Sequence, residues 1–322
     1  MDGSGERGGW RGRLLDVGPV AVLVVFSVVA VAGYGVFGRD PSRVIGLSEA
    51  GARFYSISFG FFAQAQVLLA GLVLGYWLWR RAGWRWLPAF GAVYGLSLGS
   101  ELLGTAFGVP FGPYAYTDLL GVKWLGLVPA LIPLSWFFMA VPAYGLAARA
   151  LDAGRRAPLG RAVSEAVGSG GALGRIVLGS LLLLAWDLTL DPAMSEVTRY
   201  WVWGEPGPYY GMPLMNLFGW YVTGVVLMAV LEWLGARSWL GAGGRAVHRT
   251  DATGWLAAFY GANLILPLGM TLVAGMWGAA VATALVLGGV AVWASLRSRT
   301  PSGTQPVETR AVRGRAGLEV VG

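Results

Sequence analysis

Apolar residues along this chain come in long blocks, not in the short alternations of a soluble domain. Eight such blocks approach or exceed the roughly 20 residues an α-helix needs to cross a bilayer. They cover residues 17–37, 54–79, 86–107, 122–148, 174–190, 213–234, 254–273 and 276–296. Charged residues gather between the blocks and at the two ends. The pattern predicts an all-α fold, a polytopic membrane bundle of eight transmembrane helices. Three segments follow: an N-terminal tail over 1–13, a transmembrane domain over 14–296, and a basic tail over 297–322. Both tails read as disordered. Ala30-Val31-Ala32 resembles a signal-peptidase site, but the apolar run continues past it, so a retained helix is expected.

Composition strengthens this reading. The chain is 56% hydrophobic and 13% charged, with mean hydropathy +0.60. A soluble domain is about 25% charged. Cysteine is absent and His248 is the single histidine, which leaves no disulfide framework, thiolate nucleophile or multi-histidine metal centre. No metal and no cofactor is expected. His248, between Arg245 and Arg249, reads as a surface residue, and residues 168–171 (Gly-Ser-Gly-Gly) read as a flexible linker.

The net charge of +7 could indicate nucleic acid, but its distribution points to topology. With eight crossings, the side holding the N-terminus carries 19 of the basic residues and the other side carries five: Arg39, Arg43, Arg53, Lys123 and Arg199. The positive-inside rule then puts both ends in the cytoplasm of a multi-pass cell-membrane protein. No nucleic-acid partner is expected.

Ionisable residues inside a span are costly and usually face a cavity. Glu101 lies in the third span, Asp187 and Asp191 end the fifth, and Asn216 begins the sixth. With alternating directions, all four fall in the outer half of the membrane. Asp187 and Asp191 are four apart, hence on one helix face. Each also has a plainer reading: Glu101 as an inter-helix hydrogen bonder, Asp191 as a helix-end residue before Pro192, Asn216 as packing glue. Glu232, near the cytoplasmic end of the sixth span, reads as solvated. Two outer loops look alike. Residues 110–118 contain Gly-Pro-Tyr with Tyr114 and Tyr116, and residues 206–213 contain Gly-Pro-Tyr with Tyr209 and Tyr210. They read either as an interfacial aromatic belt or as a lid over an acid-lined groove.

The segments 101–105, 111–117, 129–136, 186–192, 209–213 and 216–220 together resemble the membrane carotenoid biosynthesis protein family, which includes carotenoid 1',2'-hydratases. The resemblance covers about residues 54–293. It implies a carotenoid substrate (lycopene, γ-carotene or a C50 precursor), with the bilayer and other carotenoid-pathway membrane enzymes as partners. Adding water across a terminal isoprenoid double bond puts a proton on C2' and hydroxyl on C1'. Protonation at C2' leaves a tertiary cation, the more stable choice. Paired carboxyls in an apolar groove supply both proton donor and base. The expected catalytic residues are therefore Asp187, Asp191 and Glu101. Asn216, Trp186, Trp136, Tyr114, Tyr116, Tyr209 and Tyr210 are expected to bind substrate, aromatic faces stabilising the cation by roughly 0.5–2 kcal/mol each. An isomerase or cyclase using the same cation chemistry, or a proton-coupled transporter, also fits such acids.

Overall fold

The computed structural model describes residues 4–154, 170–241 and 252–298. His248 and most of the C-terminal tail lie outside them. Eight long helices occupy the eight apolar blocks: α1 (Ser4–Gly33), α2 (Glu49–Ala82), α3 (Leu87–Phe107), α4 (Leu131–Gly154), α5 (Gly170–Asp191), α6 (Leu214–Trp233), α7 (Ala252–Val273) and α8 (Trp277–Ser298). The backbone of α1 is helical from Ser4, ahead of its apolar block. The described part is an all-α polytopic membrane bundle. By length and apolarity, six helices can cross a membrane: all except α3 and α8. Glu101 and several Gly and Ser residues dilute the apolar character of α3, and the apolar stretch of α8, Trp277–Trp293, is shorter.

Local sequence sets the helix ends. Ser48 caps α2, accepting from Gly51 N at 3.2 Å, and Arg80 and Arg81 sit in its last turn beside the exposed carbonyls. Gly108 ends α3 in the left-handed conformation, its N–H closing onto Gly104 O at 2.8 Å. Gly170 and Gly171, expected in a linker, instead open α5. The start of the fourth block is also not helical. Residues 122–130 hold a small hairpin of β2 (Lys123–Trp124) and β3 (Val128–Pro129), because Leu125 and Gly126 both take positive φ and turn the chain. Such an apolar turn is invisible to a hydropathy count.

Burial grades the bundle from centre to rim. In α4, 78% of the most apolar window is buried, against 22% in α1, so α4 is central and α1 peripheral. Helices α5 and α6 pack on α4, with Gly179 and Gly224 at close helix contacts. Near the start of α5, Arg175 pairs with Glu232 of α6 at 2.6 Å, and Tyr144 of α4 donates to the same carboxylate at 2.6 Å. Glu232, expected to be solvated, is partly exposed and also paired. It pins three helices at one end of the bundle.

At the opposite end two loops meet. β1 (Tyr114–Tyr116) pairs antiparallel with β4 (Trp201–Trp203), placing Tyr114 opposite Trp203 and Tyr116 opposite Trp201. Alternation along a strand puts these four rings on one face. Tyr114 lies 5.4 Å from Trp203 and Tyr116 lies 5.8 Å from Trp201, centre to centre. Below this cap, an apolar cavity of about 510 Å³ opens among α1, α2, α4, α5 and α7.

Candidate active site

Two polar clusters sit under the β1–β4 cap. The first is built on Glu101 of α3, which is only 4% exposed. Tyr114 and Tyr116 both donate to its Oε2, the second at 2.8 Å, and Trp136 of α4 donates to Oε1 at 2.8 Å. Three donors thus enclose one carboxylate. Gly104, one turn on, makes room for this arrangement. A Cβ there would lie 2.8 Å from both the Tyr114 hydroxyl and the Phe111 ring. Burial, and then the adjacent Glu101 charge, push the Tyr114 and Tyr116 phenols well above their usual range. Both therefore act as O–H donors, not as phenolates.

The second cluster joins α5 to α6. Asp187 is fully buried, and Asp191 and Asn216 are each 2% exposed. Asn216 Nδ2 donates to Asp191 Oδ2 and lies 3.3 Å from Asp187 Oδ2. Trp201 of β4 donates to Asp191 Oδ1 at 2.7 Å. Both Asp191 oxygens are thus occupied. Asp187 differs, because no described donor reaches its Oδ1. A buried carboxyl oxygen without a donor is costly, and such groups concentrate where a ligand or proton is to be met.

An aromatic layer connects the clusters. Trp136 stacks on Trp220 at 4.0 Å, and Trp220 meets Trp186 edge-on at 6.0 Å. Trp186 immediately precedes Asp187, and it also lines the cavity together with Trp201. The acids therefore stand behind an indole wall of that cavity.

Prolines explain two further contacts. Pro192 has no N–H, so Leu188 O loses its helical partner. The Tyr209 hydroxyl fills that place at 2.8 Å. Likewise Pro267 frees Asn263 O, and Trp186 Nε1 takes it at 3.2 Å. In both cases a carbonyl freed by a proline, within α7 or at the end of α5, fixes an aromatic ring near the acids.

Of the ten residues singled out from sequence, nine make contacts in or beside these clusters. Tyr210 is the outlier. It packs edge-on against Tyr209, with its hydroxyl directed at Gly278 of α8. The two Gly-Pro-Tyr loops are not equivalent, for Tyr114 and Tyr116 hold Glu101 whereas Tyr209 holds a backbone carbonyl. Sequence reasoning missed Trp201, Trp220, Gln66 and Asn263. The first two were hidden among sixteen tryptophans. For Asn263, the signal was available in Pro267 four residues later. Among the described residues no group of three or more His, Cys, Asp or Glu is arranged to hold a metal ion.

Fold and site together define a polytopic helical membrane protein with buried carboxyls beside an apolar cavity. The chain belongs to the family described as carotenoid biosynthesis protein, whose sequence profile matches residues 62–290. It is also similar to a bisanhydrobacterioruberin hydratase of Haloarcula japonica, 31% identical over 178 residues, or 55% of this chain and 53% of the relative. The chain thus matches about half the length of that curated relative. No solved structure matches the chain.

Proposed function

We propose that this protein is a carotenoid 1',2'-hydratase, a hydro-lyase adding water to the terminal double bond of an acyclic carotenoid end group. The observation that carries the proposal is the Asp187–Asp191–Asn216 cluster, buried and adjacent to an apolar cavity. The family and the hydratase relative support a carotenoid as the substrate class. The polyene lies in the cavity, with its end group against Trp186 and Trp201.

In this reading Asp187, whose buried Oδ1 has no described donor, protonates C2' of an alkene brought against it past Trp186. The π bond supplies the electron pair for the new C–H bond and leaves a cation at C1'. The indoles of Trp186 and Trp201, which line the cavity, stabilise that charge. Water adds to C1', and its surplus proton returns to the carboxyl pair, so the acid is regenerated. Asp191, fixed by Trp201 and Asn216, orients the water. Glu101 is less suited to that task, because three donors already hold it, against two at Asp191. It acts instead as the hydrogen-bond acceptor that holds the tyrosine cap.

The test is expression in hosts making lycopene, γ-carotene or a C50 carotenoid, followed by mass analysis of the pigments. The proposal expects products heavier by one or two waters. Pigments of unchanged mass but altered absorption would instead indicate an isomerase or cyclase. We further propose eight crossings, with both termini in the cytoplasm of the cell membrane. The support is the 19-to-five division of basic residues.

A further inference from the structure

The cavity beside the acids is open on one side. Among its described lining residues, the exposed ones are Val29, Gly33, Leu47 and Phe54. The three side chains are 51%, 38% and 54% exposed. All four residues are apolar, and all belong to α1, α2 or the connection between them. The lining from the rest of the fold is buried or half-buried, Trp186 and Trp201 included. The mouth therefore lies between α1 and α2, and the reaction wall is on the closed side.

The course of the two helices explains the opening. They run antiparallel and touch along one part of their length. Asp16 pairs with Arg80 at 2.6 Å, the Phe26 and Phe62 rings lie 5.3 Å apart, and Ser27 Oγ donates to Gln66 Oε1 at 3.2 Å. Beyond that contact they part, and the cavity fills the wedge. It runs from Ala30 to Gly38 on one side and from Phe62 back to Gly51 on the other, roughly 16 Å of helix. The wide end is crossed by a charged connection, with ion pairs Asp40–Arg43 at 3.3 Å and Glu49–Arg53 at 3.1 Å. Charged residues thus mark the water-facing end of the wedge, and a helix contact closes the other. What stays open is an apolar slot on the lipid-facing side. Of the six helices that can cross a membrane, α1 and α2 are also the least buried, at 22% and 28% of their most apolar windows.

Gly33 stands in this slot. Its backbone is ordinary right-handed helix, φ −59° and ψ −45°, where alanine would be more stable. A Cβ there would meet nothing within 4 Å. Neither a turn nor close packing calls for glycine, and its effect is to leave the slot open.

We propose that the slot between α1 and α2 seats a long isoprenoid chain threaded in from the bilayer. One end group reaches the Trp186–Trp201 wall, and the rest of the chain passes Gly33, Val29 and Phe54 into lipid. An enclosed cavity would have to match the length of the chain and both its ends. A laterally open one inspects a single end and leaves the other in the membrane. The inference rests on reading the cavity as the seat of a polyene, and not on which reaction follows.

The test reads occupancy, not turnover. Lycopene is achiral and has no circular dichroism of its own, but acquires a visible band when held in a chiral site. Hydrating its terminal double bond, which lies outside the conjugated system, leaves that band in place. The full-length protein is purified into nanodiscs from lycopene-producing cells, and the band is measured per protein. Wild type should show it. Gly33→Trp fills the slot and Val29→Trp narrows it from the same helix, so each should lower the band about tenfold or more. Gly33→Ala should keep it, which separates a steric block from misfolding. Gly288→Trp should keep it too, since Gly288 is an exposed glycine of α8 with equally free space and no part in the cavity. Full wild-type bands in both Gly33→Trp and Val29→Trp would overturn the slot while sparing the cavity as a polyene site. No band from wild type would overturn the cavity reading as well, with a phospholipid acyl chain then the occupant. The expected losses together with no hydrated pigment would uphold the slot and overturn the hydratase reading.

Discussion

Residues in this site divide by how fully their polar atoms are satisfied. Glu101 has three donors, Asp191 has two, and Asp187 has one oxygen that no described donor reaches. In the proposed mechanism that gradient separates a structural carboxyl, Glu101, from the pair that reacts. Trp201→Phe removes one donor from Asp191 while keeping most of the ring. Turnover should fall about tenfold with little change in the amount of folded protein. An unchanged rate would detach Trp201 from the chemistry. The tyrosines give a pH prediction with a definite sign. Both phenols are pushed up in the folded protein, so the folded state holds their protons more tightly than the unfolded chain. Their stabilisation is complete below the unfolded tyrosine value of about 10 and is lost as pH rises through the folded value. Thermal unfolding of Tyr114→Phe should therefore vary less with pH above about 10 than that of wild type.

Elements carry the site where prolines free a helix carbonyl. Pro192 and Pro267 each release one carbonyl, and each carbonyl holds an aromatic ring near the acids. The hydrophobic blocks made the helices legible, because only sustained apolar runs cross a bilayer. The acids were legible for the converse reason, since charge within such a run is costly. Trp201, Trp220, Gln66 and Asn263 were not legible, because an aromatic or amide in an apolar stretch looks like ordinary packing. Their importance comes from neighbours far away in sequence, such as Trp136 against Trp220. The hairpin at 122–130 escaped because its turn is as apolar as the helix after it. Gly104 sits where α3 meets the cap, and its missing Cβ is what lets Tyr114 reach Glu101. Gly104→Ala should displace Tyr114 and cut activity at least tenfold, with membrane insertion intact. Retained activity would show that the Tyr114–Glu101 contact is dispensable.

At the scale of the molecule, the bundle resolves into two ends. One end is pinned by Arg175, Glu232 and Tyr144. The other holds the tyrosine and tryptophan cap over the acids. The topology proposed from the charge asymmetry puts the first end in the cytoplasm. Reporter fusions at residue 13, after residue 154 and at the C-terminus should all report a cytoplasmic location, and one in the 110–118 loop should report the outside. A reversed pattern would move the acids to the cytoplasmic half. The central claim, however, is that Asp187 delivers a solvent-derived proton to carbon. Membranes holding wild type or Asp187→Asn, supplied with an acyclic carotenoid in deuterated water, test it directly. Wild-type product should carry one carbon-bound deuterium beside the new hydroxyl, and Asp187→Asn membranes should form no product. Hydrated product from Asp187→Asn at near the wild-type rate would contradict the account.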